Sequence, residues 1–322
     1  MIGVLLVNLG TPEAPDAASV RTYLEEFLSD PRVIEIPGIL WQPILRGIIL
    51  RTRPAKSARA YQEVWTDEGS PLMAISMRQA AKLREHFGDE LIVGLAMRYG
   101  KRSIGYAISK MVDADCDRIL LAPLYPQYCA ATTASANDAL FAQLDTMRFQ
   151  PAIRTLPPYF GDPLYIEALR ANLNRQLETL DFEPQGLLLS FHGMPERTRR
   201  LGDPYYDHCL ATARLLGKAL GREVDVAFQS RFGRAKWLEP ATEATLAAYP
   251  VQGVQRVAIA APGFSADCLE TLEELGIRGR DSFLAAGGTH FARLDCLNDS
   301  PEGMTMLERL IVRELEGWRT PT

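Results

Sequence analysis

The chain has 322 residues, with 35 Lys plus Arg against 40 Asp plus Glu and a formal net charge of −5. That length suits two domains of roughly 150 residues, each with a sizeable core, and a mildly acidic chain without a long basic run excludes nucleic acid and points to a small-molecule substrate. Cys116, Cys129, Cys209, Cys268 and Cys296 form no Cys-x-x-Cys pair, and His86, His192, His208 and His290 show no metal-box spacing, which predicts reduced thiols and excludes a closed structural zinc site.

Short apolar runs alternate with amphipathic patterns throughout, the signature of an α/β protein built from βαβ units. The first run, 2–8, lacks the positive n-region and length of a signal peptide, so it reads as a strand of a cytoplasmic protein. From Ile36 to Arg53 the chain is unusually apolar. Pro43 and Arg46 interrupt it, and a bilayer span needs about 20 continuous apolar residues, so it does not cross a membrane. A helix there would set Trp41, Ile44, Leu45, Ile48 and Ile49 on one side, as an interfacial anchor at the inner face of the membrane, a lip over a greasy ligand, or a buried core helix. Ser70-Pro71 predicts a helix start running to about His86, with Gly88 ending it. Strands follow near 91–97 and 117–122.

Pro151, Pro157-Pro158 and Pro163 punctuate the middle of the chain and predict two domains, 1–160 and 161–322. The second half has strands near 186–191, 224–229 and 255–260. Leu187-Leu188-Leu189-Ser190-Phe191-His192-Gly193 echoes Val4-Leu5-Leu6-Val7-Asn8-Leu9-Gly10, each an apolar strand breaking into a glycine turn. A cleft between two such lobes is a natural small-molecule site.

His192 follows a strand, where open α/β sheets collect ligands, and imidazole, with an unperturbed pKa of roughly 6.5, suits proton exchange at neutral pH. The plain alternative is a turn histidine bonded to backbone. After the strand 255–260, Asp267, Glu270 and Glu274 would share one helix face as a carboxylate row. Such a row is either a path for protons or divalent cations or a solvated acidic first turn. Carboxylate and imidazole hold Fe²⁺ moderately, as a site that releases its metal requires.

These segments, with Leu6-Val7-Asn8-Leu9-Gly10-Thr11-Pro12, Met97-Arg98-Tyr99-Gly100, Pro123-Leu124-Tyr125-Pro126-Gln127-Tyr128, Gly202-Asp203-Pro204-Tyr205, Phe228-Gln229-Ser230-Arg231, Trp237-Leu238 and Phe264-Ser265-Ala266-Asp267-Cys268-Leu269-Glu270-Thr271-Leu272, resemble the ferrochelatases along nearly the whole chain. The resemblance implies a chelatase fold of two Rossmann-like lobes, each a parallel sheet flanked by helices, and insertion of Fe²⁺ into protoporphyrin IX, the last step of haem synthesis. It implies His192 and Glu270 as the catalytic pair, and Leu9, Arg98, Tyr99, Tyr125, Trp237 and Phe264 along the macrocycle or metal path. The segment around Trp41 would be the lip. His192, Glu270, Asp267 and Glu274 are the candidate metal contacts, and Arg51, Arg53 and Ser70 are further candidates for meeting the propionates.

Some ferrochelatases carry histidine where Cys268 stands, which leaves that residue's role open. Members with a [2Fe–2S] cluster have a cysteine-rich carboxyl-terminal extension or insertion, whereas this chain has no cysteine after Cys296, so no cofactor is expected. Other haem-pathway enzymes are candidate partners. The alternatives are a chelatase for coproporphyrin or another tetrapyrrole, and a tetrapyrrole carrier without catalysis.

Overall fold

The computed structural model describes residues 1–231, 233 and 235–319. Two compact units divide the chain: Met1–Tyr125, Cys129–Pro157 and Leu307 onward form the first, and Pro126–Tyr128 with Pro158–Met306 the second.

The first unit runs β1 (Ile2–Gly10), α1 (Ala17–Ser29), α2 (Gly38–Ile44), a π-helical turn (Leu45–Ile49), α3 (Leu50–Val64), α4 (Pro71–Phe87), β2 (Ile92–Tyr99), α5 (Ile104–Asp113), β3 (Arg118–Pro123), a second π-helical turn (Ala130–Ala134), α6 (Ser135–Asp145) and β4 (Ala152–Thr155). Its sheet is wholly parallel, in the order β2-β1-β3-β4. Val4, Leu5, Leu6 and Val7 are completely buried, which explains an unbroken apolar run, because a parallel sheet is covered on both faces. Local signals set the helix ends. Asp16 caps α1 by accepting from the N–H groups of Ala18 (2.8 Å) and Ser19 (2.9 Å), and Pro71 opens α4, which ends at Gly88 with φ +51°.

The second unit runs α7 (Pro163–Leu177), β5 (Gly186–His192), α8 (Glu196–Arg200), α9 (Tyr205–Leu220), β6 (Asp225–Gln229), α10 (Thr242–Ala248), β7 (Arg256–Ala260), a π-helix (Glu270–Gly279), α11 (Arg280–Ala285), β8 (His290–Arg293) and the start of α12 (Pro301–Glu314). Its parallel sheet has the equivalent order, β6-β5-β7-β8. Strands β1 and β5, which echo each other in sequence, hold the same place in their respective sheets.

The residues from Leu307 onward pack with the first unit, whereas the proline pattern assigned all of 161–322 to a second domain. The reason is visible at β3 and β4. Arg118 donates to the Trp318 carbonyl (3.0 Å), and Arg154 donates to those of Glu314 (2.6 Å) and Glu316 (2.8 Å) while lying over the Trp318 ring. Residues 320–322, the last of that predicted domain, lie outside the described residues.

Candidate active site

In a sheet of order 2-1-3-4, the chain leaving strand 1 and the chain leaving strand 3 pass to opposite sides, and the crevice between those two strands is where such folds bind ligands. In the second unit this is the corner between β5 and β7. Their pairing ends at Leu189↔Ala260, while β5 continues beside β6 as far as His192↔Gln229. Three residues of β5 thus run past the end of β7, and the chain leaving β7 turns away through Pro262 and Gly263. His192 stands half-buried at the tip of β5, its ring 6.5 Å from that of Phe264 and nearly perpendicular to it.

Gly193 follows, and its N–H donates to the Gln229 carbonyl (2.8 Å). A Cβ on Gly193 would lie 2.5 Å from that oxygen and 3.3 Å from the Trp237 ring, so only glycine lets β5 turn here without displacing backbone. Trp237 pairs with Pro195 in an isolated bridge, and its buried indole N–H has no hydrogen-bond partner among the described residues.

Glu270 is half-buried at the start of the π-helix. There the expected carboxylate row does not form. Asp267 lies before the helix, 3 % exposed, and its carboxylate takes Thr271 Oγ1 (2.6 Å), Arg293 Nη1 (3.0 Å), Asn298 Nδ2 (2.7 Å) and the Cys296 N–H (3.2 Å). It is an anchor for the helix start, not a side chain open to a passing cation. Spacing alone missed this because Arg293 and Asn298 are 26 and 31 residues away. Glu274 accepts from the N–H of Ser230 (2.7 Å) and from its hydroxyl, holding that serine in a left-handed conformation at φ +63°. With i→i+5 bonding the turn is wider than an α-helix, so Glu274 stays near the Glu270 face.

Cys268 is buried, and burial first, then the neighbouring Glu270 carboxylate, pushes its thiol well above the usual range. It is a neutral thiol rather than a thiolate ligand. Among the described residues, no group of three or more His, Cys, Asp and Glu side chains is arranged to hold a metal ion.

Behind His192, Gln229 joins two elements: Ser190 Oγ donates to its Oε1 (2.7 Å), and its Nε2 donates to the Glu270 carbonyl (3.0 Å). The sequence placed Gln229 in a distinctive segment but assigned it no role, since an amide carries no charge signal.

In the first unit, Leu9 and Tyr125 are half-buried just before and just beyond the carboxyl ends of β1 and β3. Arg98 and Tyr99 are placed otherwise than expected. The Tyr99 hydroxyl (2.8 Å), Arg98 Nη2 (2.6 Å) and Ser135 Oγ (2.5 Å) all donate to Asp30 Oδ2, and Tyr99 is 1 % exposed. Burial alone would raise the Asp30 carboxyl, but the donors Ser135, the Arg32 N–H, Tyr99 and Arg98 together hold it below the ordinary value. Tyr99 is therefore part of a buried network around Asp30. Ser70 is also buried and accepts from Thr11 Oγ1 (2.8 Å), so it does not present a hydroxyl for a propionate. Arg51 is exposed on α3 and Arg53 half-buried.

The apolar segment has two faces. Trp41, Leu45 and Leu50 pack on Leu28 of α1, with the Trp41 indole donating to the Leu28 carbonyl (2.7 Å), whereas Ile36, Ile39, Leu40, Ile44 and Ile48 are exposed. Trp41 and Leu45 are thus core residues and do not share the outer side with Ile44 and Ile48, as a single helical face required.

Residues 1–315 match the family described as Ferrochelatase. The chain is 52% identical to a ferrochelatase of Rhizobium meliloti, covering 98% of this chain and 96% of that protein, and 51% identical to one of Bordetella pertussis, covering 99% and 90%. Its fold is similar to that of the sirohydrochlorin chelatase SirB from Bacillus subtilis subspecies spizizenii in complex with cobalt (TM-score 0.57, 10% identity, 98% of this chain and 96% of that one), a likeness of fold alone.

Proposed function

The chain belongs to the ferrochelatase family, and from that premise we propose protoporphyrin IX and Fe²⁺ as its substrates and His192 with Glu270 as its catalytic pair. The enzyme is a lyase of haem synthesis that inserts metal into porphyrin. The observation that carries the proposed site is the position of His192: a partly accessible imidazole at the switch point of a parallel sheet, beside an aromatic wall, Phe264.

Metal insertion releases two pyrrole N–H protons as Fe²⁺ sheds water and gains four ring nitrogens. A flat ring hides its lone pairs, so apolar contacts that buckle it would tilt them outward, a distortion sustained by binding energy elsewhere on the macrocycle. In this reading His192 accepts a pyrrole proton as general base, Phe264 and Trp237 supply apolar surface, and Glu270 and Glu274 relay protons or cations. Asp267 holds the helix start. Leu9, Tyr125 and Arg51 are the first unit's proposed porphyrin contacts, and no resident cofactor is proposed.

The exposed row Ile36, Ile39, Leu40, Ile44 and Ile48 favours protoporphyrin over coproporphyrin, because extra carboxylates against apolar surface would be poorly solvated. Among the described residues no helix is long and apolar enough to cross a membrane, and we propose that this row contacts a membrane peripherally. Flotation with anionic liposomes tests that contact, and an Ile39→Ser, Ile48→Ser variant that floats equally well removes it.

The deciding experiment is an anaerobic absorbance assay with protoporphyrin IX and Fe²⁺, run beside His192→Ala and repeated with coproporphyrin. Haem formation that is lost in the variant while porphyrin still binds supports the reading. Turnover near wild type in the variant removes His192 as the base, and faster turnover of coproporphyrin replaces the substrate.

A further inference from the structure

We propose that Gln229 is a positioning residue that fixes His192 and Glu270 relative to each other; the proposal rests on those two forming the catalytic pair. Gln229 is the last residue of β6, directly opposite His192 in register and 3 % exposed. Its main chain holds the first partner: the carbonyl accepts the N–H of Gly193, the residue after the imidazole, at 2.8 Å. Its side chain holds the second, since Nε2 donates to the Glu270 carbonyl at 3.0 Å.

The amide's orientation follows from the chemistry of its neighbours. The Glu270 carbonyl can only accept, so it must face the amide nitrogen, and Oε1 must then face Ser190 Oγ, 2.7 Å away. Ser190, donating there, accepts in turn from Thr242 Oγ1 at 2.8 Å. The donors thus run in one direction, Thr242 to Ser190 to Gln229 to Glu270, and every member is buried or half-buried. Flipping the amide would set two oxygens against each other at Glu270. A network satisfied in only one orientation rigidifies what it touches, and here it touches the roots of both proposed catalytic side chains. Precise support of this kind matters because a displacement of about 1 Å at reacting groups can lower a rate about 100-fold.

Gln229→Leu removes the donor while keeping similar bulk. Its kcat is expected to fall by about ten- to a hundredfold, with KM for the porphyrin unchanged. Gln229→Glu gives a sharper readout. One carboxylate oxygen still accepts from Ser190 and the other faces the Glu270 carbonyl, which it repels when ionised and donates to when protonated. The ratio of Gln229→Glu to wild-type kcat is therefore expected to rise as pH falls, whereas the Gln229→Leu ratio stays flat; a loss of general structural support would not produce that difference.

Wild-type kcat in Gln229→Leu, or a Gln229→Glu ratio independent of pH, overturns the proposal. If Gln229→Leu does not fold, the Gln229→Glu ratio decides alone. Glu270→Gln, assayed in parallel, separates the two levels: wild-type turnover there removes the catalytic pair itself, while a strong loss there with pH-independent Gln229→Glu removes only the positioning role.

Discussion

Asp267 and Arg293 form an ion pair at 3.0 Å, the carboxylate almost fully buried and the guanidinium side chain 19% exposed, between the start of the π-helix and strand β8. Removing the Asp267 carboxylate leaves Arg293 its second partner, Asp295, but strips a buried acceptor from Thr271, Asn298 and the Cys296 N–H, at a cost of about 1–3 kcal/mol. Asp267→Ala is therefore expected to lose stability of that order in urea unfolding. Asp267→Asn, which keeps acceptor capacity for Thr271, should lose less. If Asp267→Ala unfolds at the wild-type midpoint, the residue is no anchor, and a part in cation transfer returns to consideration.

Gly193→Ala tests the tight turn behind His192. The new Cβ would meet the Gln229 carbonyl at 2.5 Å, and overpacking of this kind costs about 1–3 kcal/mol. The strand tip must move to relieve it. The expected outcome is a folded protein with a modest fall in melting temperature and a fall in kcat out of proportion to it. An unchanged kcat would show that the tip of β5 tolerates displacement.

Two partly buried groups in separate places contribute to the acid dependence of stability. The His208 imidazole is lowered by burial, against the opposing pull of Asp203 and Asp207, and its Nδ1 accepts the Tyr128 N–H (3.2 Å) while the ring stacks on Phe160 at 3.6 Å. The folded state therefore binds this proton less readily than the unfolded chain, and its contribution is present above about pH 6.5 and lost as pH falls below that value. The Asp30 carboxyl is also held low, so its contribution is present above about pH 4 and lost as pH falls through its folded value. Urea midpoints between pH 7 and 3 should fall in two stages. His208→Phe should remove the first and Asp30→Asn the second; a single stage unaffected by either change contradicts both assignments.

The two faces of the segment 38–50 should respond in opposite ways. Trp41→Ala empties a buried site and removes the bond to Leu28, so a loss of about 3–5 kcal/mol is expected, whereas Ile39→Ser, at a residue 86% exposed, should fall within about 0.5 kcal/mol of wild type. Thermal unfolding of the pair checks this, and equal losses would place Ile39 in a core.

The six strands legible in the sequence are those whose residues are mostly buried and mostly apolar. The two that were not, β4 and β8, are four residues long and consist of half-exposed or exposed residues, so neither hydrophobic continuity nor length marks them. At the proposed site, His192 drew attention because a polar residue ending a buried run stands out. Asp267 was misplaced because its partner Arg293 lies on one of those unread strands. The π-helical bonding after Leu269 was not legible either, since apolar spacing over ten residues does not separate it from an α-helix. Asp30, Ser135 and Tyr99 meet only through the fold, 36 to 105 residues apart.

The overhang of β5 past β7 has a counterpart in the first unit, where β1 pairs with β3 only as far as Val7↔Pro123 but with β2 as far as Gly10↔Tyr99. Each sheet thus carries the same step at its edge, cut by strand length rather than by loops, and each step is closed by a glycine pressed against neighbouring backbone, Gly10 on the Tyr99 carbonyl and Gly193 on that of Gln229. At the position just inside the glycine the two copies differ: Leu9 in one, His192 in the other. The scaffold repeats itself while the residue on the ledge does not, so of two corners cut alike, one offers hydrocarbon and the other an imidazole.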